Sequence, residues 1–411
     1  MRRLNVVQLA GAPPFPPDEG AKIRSLHLLR ALRDVADVTL VCFARGAAEE
    51  RATHALAELG FRVIAVPEPS FDPCAWDHVR RMEPLLAQRY ASADLAAAAG
   101  LGEGCAPADL VMVDGPAALM AAGGIERSRM SAVYHAHNVE SEVYRRCLRV
   151  QRRPLRSRLA ARLDCLKTRR FERNRIRRFS AIVAVSNRDA AIFRRWAPTA
   201  SVHVIPNGAD CSQFTPGDAV PERGAIVFTG LLSYPPNRDA VCYFGTEIFP
   251  RIRRAIPWAT WYVVGREAED VSRILRGRPG IVLTGYADDV RPWVARAQAI
   301  VVPLRAGGGT RLKILEAMAM ARPVVSTAVG AEGLDVTAGE HLLIADGADA
   351  FAAAVVRLLR HRDVAAELAK RARRLVLERH DWRAIGARYA EMVVEMWSSR
   401  EHEVRASPGA A

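Results

Sequence analysis

Val301-Val302-Pro303-Leu304-Arg305-Ala306-Gly307-Gly308-Gly309-Thr310-Arg311-Leu312-Lys313-Ile314-Leu315-Glu316-Ala317-Met318-Ala319 passes from an apolar run through three consecutive glycines into a helical pattern. The run Ala299–Pro303 is short and uncharged and reads as a buried strand. Glycines there let the backbone adopt positive φ and approach a ligand closely. The spacing predicts a helix over Leu312–Met320 with Thr310 as its N-cap, and the free N–H groups of its first turn form an anion site. Arg311 and Lys313 sharpen that reading. A cation near a helix N-terminus opposes the macrodipole at about 0.3–1 kcal/mol, a conflict that a bound diphosphate removes; the plainer alternative is two side chains pointing into water. Glu316 shares a face with Lys313. It accepts hydrogen bonds from a ribose diol, or it forms a surface ion pair with Lys313.

Outward from this segment the pattern alternates between strands and helices. Further strands read at Ala225–Thr229, Thr260–Val264, Ile281–Thr284 and Pro323–Thr327, with helical stretches between them that include Asp239–Ala255. The N-terminal half repeats the theme. Strand Leu4–Leu9, a Gly/Pro-rich loop from Gly11 to Gly20, a helix over Lys22–Arg33 and strand Val38–Phe43 make one βαβ unit. The helix sets Ile23, Leu26, Leu29 and Leu32 on its apolar face. Strands follow at Arg62–Val66, Leu110–Val113, Ala132–His135, Ala181–Val185 and His203–Pro206, and Asn207-Gly208 reads as a turn opening a polar linker to Arg223. The expected class is therefore α/β. Two Rossmann-like doubly wound domains face a central cleft, with ligands outside the carboxyl ends of the strands. The expected limits are 1–205 and 206–380, then a helix over 381–400 that packs back on the first domain, and a disordered tail over 401–411.

The 411 residues carry a formal charge of +14, placed very unevenly. Arg145 to Arg178 holds fifteen Arg or Lys and two acids, Asp164 and Glu172, which is nearly the whole net charge. A concentrated stripe points to an anionic partner such as a membrane surface. After Pro154 the stripe reads as a helix with Leu155, Leu159, Leu163 and Leu166 at three- and four-residue spacing. It reads as a core-packed helix with a solvated basic face, as a stripe turned to a membrane or another anion, or as both together. Seven scattered cysteines without a CxxC pair support neither a disulfide framework nor a zinc site, and fit reduced thiols of a cytosolic protein. The start at Met1-Arg2-Arg3-Leu4-Asn5-Val6-Val7 reads as a first strand rather than a signal peptide, and no membrane span is expected.

With these residues in view, the chain resembles glycosyltransferase family 4, the retaining GT-B enzymes, and especially its sugar transferases of polysaccharide synthesis. The markers are Ala184-Val185-Ser186, Val204 through Asp210, Thr284-Gly285-Tyr286, Gly307 through Ala319, and Pro323 through Thr327, and the likeness spans nearly the whole chain. It implies a donor site of Gly20, Gly230, Tyr286, Gly308, Gly309, Thr310, Arg311, Lys313 and Glu316, with Tyr286 near the nucleotide base. It also implies a cleft histidine at His137, followed by Asn138, that contacts the donor sugar. Two departures stand out. Gly308 occupies the place of the family's first glutamate, and the usual basic pair after the strand ending at Thr229 is absent, so its charge passes to Arg311 and Lys313, with Arg238 a weaker candidate.

The implied reaction transfers a sugar with retention from a UDP- or GDP-sugar to a lipid-linked glycan acceptor in exopolysaccharide assembly. No Asp-x-Asp metal motif appears, and no cofactor or metal is expected. The implied location is cytoplasmic, peripheral at the inner membrane face through Arg145–Arg178. Two rivals remain. One keeps the fold but acts as a nucleotide-sugar epimerase or phosphosugar-forming transferase. The other is a non-catalytic basic protein that binds membrane or nucleic acid; no nucleic-acid module supports the latter.

Overall fold

The structure, a computed structural model, describes residues 3–70, 83–100, 108–121, 131–151, 154–217, 219–266 and 268–406. Cys74, Cys105, Arg152, Arg153 and the tail from 407 lie outside the described residues; the other five cysteines form no disulfide among the described residues. The chain divides into two compact units. One comprises Met1–Ser141, Arg153–Pro206 and Arg383–Ala411; the other comprises Glu142–Arg152 and Asn207–Trp382.

The first unit is a seven-stranded parallel sheet of β1 (Leu4–Ala10), β2 (Ala36–Ala44), β3 (Arg62–Pro67), β4 (Leu110–Asp114), β5 (Ser131–His135), β6 (Ala181–Ala184) and β7 (Ser201–Val204), in the order β3-β2-β1-β4-β5-β6-β7. The second is a six-stranded parallel sheet of β8 (Ala225–Thr229), β9 (Thr260–Val264), β10 (Ile281–Gly285), β11 (Ala299–Val302), β12 (Val324–Ser326) and β13 (Leu343–Ile344), in the order β10-β9-β8-β11-β12-β13. Both follow doubly wound topology, in which the order reverses between the first and fourth strands and opens a crevice at their carboxyl ends. β4 and β8 are buried along their whole length, as expected of parallel strands covered on both faces. Residues such as Leu9, Val113 and Phe193 build the first core; Ile226, Trp261 and Phe351, with Ile300, Leu315 and Met318, build the second.

Several elements depart from the sequence reading. The first helix runs Gly20–Leu32, and Arg24 and Ser25 are buried on it while Ile23 is only half-buried. The helix expected over Asp239–Ala255 begins at Pro235 and widens into a π turn at Phe244–Ile248 before resuming at Phe249. Pro250 lacks an amide hydrogen and its ring crowds the preceding turn, so the Phe249 amide reaches back to the Phe244 carbonyl instead. The stretch expected to be a plain linker is partly packed, with Ala209 and Cys211 buried. The final helix, Trp382–Ala406, extends past the expected end of order, and its Tyr389 is buried 3.1 Å from His135 Nε2.

The arginine-rich helix, Leu155–Ile176, reverses its expected faces. Leu159, Leu163 and Leu166 are exposed, while Ala161, Asp164, Thr168, Glu172 and Ile176 are buried. Hydrogen bonding explains the choice. Asp164 accepts from the Leu85 amide (3.1 Å), and Glu172 accepts from the amides of Glu140 (2.8 Å) and Ser141 (3.1 Å) and from the Ser141 hydroxyl (2.7 Å). Glu172 thereby satisfies two of the orphan donors of the helix Glu140–Val150. Among the described residues, no helix is long and apolar enough to cross a membrane.

Candidate functional site

In the second unit, β8 and β11 are neighbours, with Ile226 opposite Ala299. Beyond β11, residues 303–311 form the glycine loop, and the helix Leu312–Ala319 follows. Its N-cap is Arg311 rather than Thr310. The Thr310 hydroxyl is buried without a hydrogen-bond partner, while its carbonyl accepts from Asn207 Nδ2 at 3.4 Å. A threonine anchored through its backbone to Asn207 is held one residue short of the capping position.

The loop's carbonyls face guanidinium groups. Arg311 Nη1 donates to the Gly308 carbonyl and, at 3.3 Å, to that of Gly309; Arg146 Nη1 donates to the Gly307 carbonyl at 3.0 Å. Arg146 is also ion-paired with Glu332. In a planar trans peptide the N–H points opposite to its carbonyl, so the amides of Gly308, Gly309 and Thr310 are turned away from these cations. They donate to no backbone carbonyl among the described residues. Gly307 (φ +133°) has a backbone conformation that favours glycine, and a Cβ there would lie 2.5 Å from Arg311 Nη2 and displace the guanidinium tip.

Lys313 Nζ lies 4.0 Å above the Phe228 ring centre and donates to Asn237 Oδ1 at 3.1 Å. Asn237 is fixed in turn by donating to the Leu231 carbonyl at 2.9 Å. The plain Lys313–Glu316 ion pair therefore does not form. Burial pushes the Lys313 amine down to about 7, with the Arg311 cation adding to the effect and Glu316 opposing it. Burial likewise pushes the Glu316 carboxyl up to about 7, against the pull of Lys313. Gly230 follows β8, and a Cβ on it would sit 2.6 Å from Lys313 Nζ, so only glycine leaves the amine its place.

The strand ends are tied in sequence: the Gly230 amide donates to the Val264 carbonyl and the Gly265 amide to that of Gly285. This sets Tyr286, half-exposed, just past β10, with the Arg266 guanidinium 5.3 Å over its ring. Arg238 is instead directed to Asp270 at 3.3 Å, away from Lys313.

The first unit holds a separate polar cluster at the ends of β4 and β5. His137 Nε2 lies 2.7 Å from Asp114 Oδ1, and Gln8 Nε2 donates to Asp114 Oδ2 at 3.1 Å. Burial alone would raise the Asp114 carboxyl, yet His137, His135 and Ser25 hold it at about 2. His135, in contrast, is pushed down to about 4 by burial. Arg24 is buried and donates to the Pro206 carbonyl at 3.2 Å. Gly115 (φ +77°) lets the His137 ring approach, since its Cβ would lie 3.2 Å from Cε1. Asn138 donates to Glu140 at 3.1 Å. Gly20 is the first residue of its helix.

The structure thus gathers Gly230, Gly308, Gly309, Thr310, Arg311, Lys313 and Glu316 in one place, with Tyr286 on the same sheet edge. Sequence reasoning overlooked Asp114, Arg146, Asn237 and Glu332. Asp114-Gly115 at the carboxyl end of an apolar strand was a readable signal. Arg146 was lost among its neighbouring arginines, and nothing in sequence links it to Glu332.

Two family models match the chain: "Glycosyltransferase Family 4" over residues 19–213 and "Glycosyl transferases group 1" over 223–361. Among solved structures, Anabaena HepE in complex with UDP and glucose is 17% identical, with TM-score 0.69 over 95% of this chain and 100% of that one. Sucrose-phosphate synthase from Thermosynechococcus elongatus is 16% identical, with TM-score 0.70 over 97% and 100%. A mutant of S. aureus TarM, with UDP among its ligands, is 10% identical, with TM-score 0.67 over 97% and 100%. A Klebsiella pneumoniae protein described as an uncharacterized 44.6 kDa protein in the cps region is 25% identical over 164 residues, 38% of this chain; the match spans 42% of that relative's length. The fold is that of the GT-B enzymes.

Proposed function

Because the chain belongs to glycosyltransferase family 4, a glycosyltransferase of group 1 type that uses nucleotide sugars, we propose that it transfers the sugar of a UDP- or GDP-sugar, with retention, to a lipid-linked glycan acceptor. The carrying observation is the set of amides of Gly308, Gly309 and Thr310, turned away from the guanidinium groups on their carbonyl side, at the start of the helix that carries the Lys313 amine. A diphosphate there receives preorganised N–H groups and a cation, the arrangement that stabilises a leaving anion. Arg311 shapes the loop and adds positive potential. Glu316 accepts from the ribose hydroxyls. Arg266 and Tyr286 flank the base.

The bond between the anomeric carbon and the diphosphate oxygen breaks with its electron pair on the diphosphate. The acceptor oxygen takes the same face of the sugar and yields its proton to the departing oxygen. His137, oriented by Asp114, is the first unit's candidate for contact with a sugar. The leaving-group charge rests on Lys313 and the loop amides, so turnover persists in EDTA.

UDP in the HepE and TarM crystals supports a uridine donor. The polysaccharide and lipid-linked parts rest on the motif resemblance and on the cps-region relative. A panel of UDP- and GDP-sugars, assayed for nucleotide release with and without membrane lipid extract, tests the reading. Release that requires the extract, with the sugar recovered in α or β form as in the donor, is the expected result. Interconversion of donor sugars, or sugar recovered on a soluble phosphosugar, replaces it with the epimerase or phosphosugar reading. No turnover and no uptake of any UDP or GDP compound rejects it.

A further inference from the structure

The outward face of the helix Leu155–Ile176 combines two features that seldom share a solvated surface. Leu159, Leu163 and Leu166 are 57%, 44% and 64% exposed and follow one stripe at i, i+4 and i+7 spacing. Arg170 and Arg173 continue that stripe, and Arg156 and Arg162 flank it, all exposed. The helix's two acids, Asp164 and Glu172, point inward and are held by hydrogen bonds. The face is therefore apolar along part of its length and cationic along the rest, with no anion of its own.

We infer that this face docks on the surface of an anionic lipid bilayer, with the three leucines entering the boundary between headgroups and acyl chains. A helix of 22 residues, about 33 Å long, can present such a stripe to a plane. Arginine side chains bury their methylene stems beside the leucines while their guanidinium groups meet lipid phosphates. Charge complementarity disfavours a two-fold pairing of this face with the same face of a second copy, which would bring the same cations to the contact. A nucleic acid would satisfy the arginines and leave the leucines in water. The inference stands apart from the donor-site reading and survives or fails without it.

Flotation of the full-length protein with phosphatidylcholine vesicles, with and without phosphatidylglycerol, tests it. The wild type is expected to float with the anionic vesicles and about tenfold less with the neutral ones. Leu159→Gln, Leu163→Gln and Leu166→Gln together should weaken partitioning about tenfold or more, and each of Arg156→Gln, Arg162→Gln, Arg170→Gln and Arg173→Gln on the order of fivefold. All these side chains are solvent-exposed, so circular dichroism should be unchanged. Independently, Leu163→Trp should be quenched by brominated acyl chains. Failure of the wild type to float, wild-type partitioning by the leucine variant, or an unquenched tryptophan would overturn the inference. So would loss of a dimer in the leucine variant without any vesicle binding, since the face would then be a protein interface.

Discussion

The Lys313 amine sits between an aromatic face and an amide oxygen, with its basicity lowered to about 7. A diphosphate favours the charged amine, so binding raises its pKa and takes up a proton wherever the free amine is neutral. Above pH 7, calorimetry in buffers of different ionisation enthalpy should show proton uptake with UDP or GDP, and Lys313→Met should abolish it. The same variant should lose about 10²- to 10³-fold in kcat/KM, read as nucleotide release. Asp114 tests the other cluster. Its folded value of about 2 lies below the ordinary 3.8, so the ionised carboxylate contributes stability above pH 4, lost as pH falls toward 2. At about 1.4 kcal/mol per unit this is on the order of 2 kcal/mol. Urea midpoints measured from pH 5 to 2 should fall less steeply for Asp114→Asn, which should also disturb the orientation of His137 and lower kcat.

At the scale of elements, the helix Glu140–Val150 depends on a buried acid. Glu172 is raised by burial to about 7, chiefly against its Ser141 hydrogen bonds. Between pH 4.5 and 7 the unfolded chain has released this proton and the folded chain has not, so stability falls as pH rises, by up to about 3 kcal/mol. Glu172→Gln should flatten that slope in denaturant titrations. The glycine loop is held from its carbonyl side by Arg146 and Arg311. Arg146→Met should therefore loosen it, raising the KM for donor more than it lowers kcat, and should leave Glu332 without its guanidinium. The β8 end gives a sharper case. In Gly230→Ala the new methyl group displaces the flexible tip of Lys313, so the loss should appear in nucleotide affinity well before it appears in melting temperature.

For the whole molecule, each unit has its own sheet and core. Calorimetry should then resolve two unfolding transitions, and saturating UDP or GDP should raise only the one belonging to Asn207–Trp382. At a hundredfold excess over Kd that stabilisation is about 2.7 kcal/mol. Removal of the chain after Trp382 should lower the other transition, because Ile385, Tyr389 and Val393 are buried in the first unit.

Strand identity was legible because a parallel strand covered on both faces needs an unbroken apolar run, as in Ala225–Thr229 and Thr260–Val264, whose limits agree between sequence and structure. The glycine run meeting a helix with Lys313 and Glu316 was legible for the same kind of reason: its chemistry is local in the chain. β13, only two residues long, offered no period to read. The leucine face of Leu155–Ile176 was misassigned because spacing gives a helix its stripes but not their direction. Direction was decided by donors distant in sequence, the amides of Leu85, Glu140 and Ser141, which needed the carboxylates of Asp164 and Glu172. The partners of His137, Arg146 and Lys313 were likewise out of reach of the sequence, since parallel strands return through long crossovers and only the assembled sheet brings their ends together.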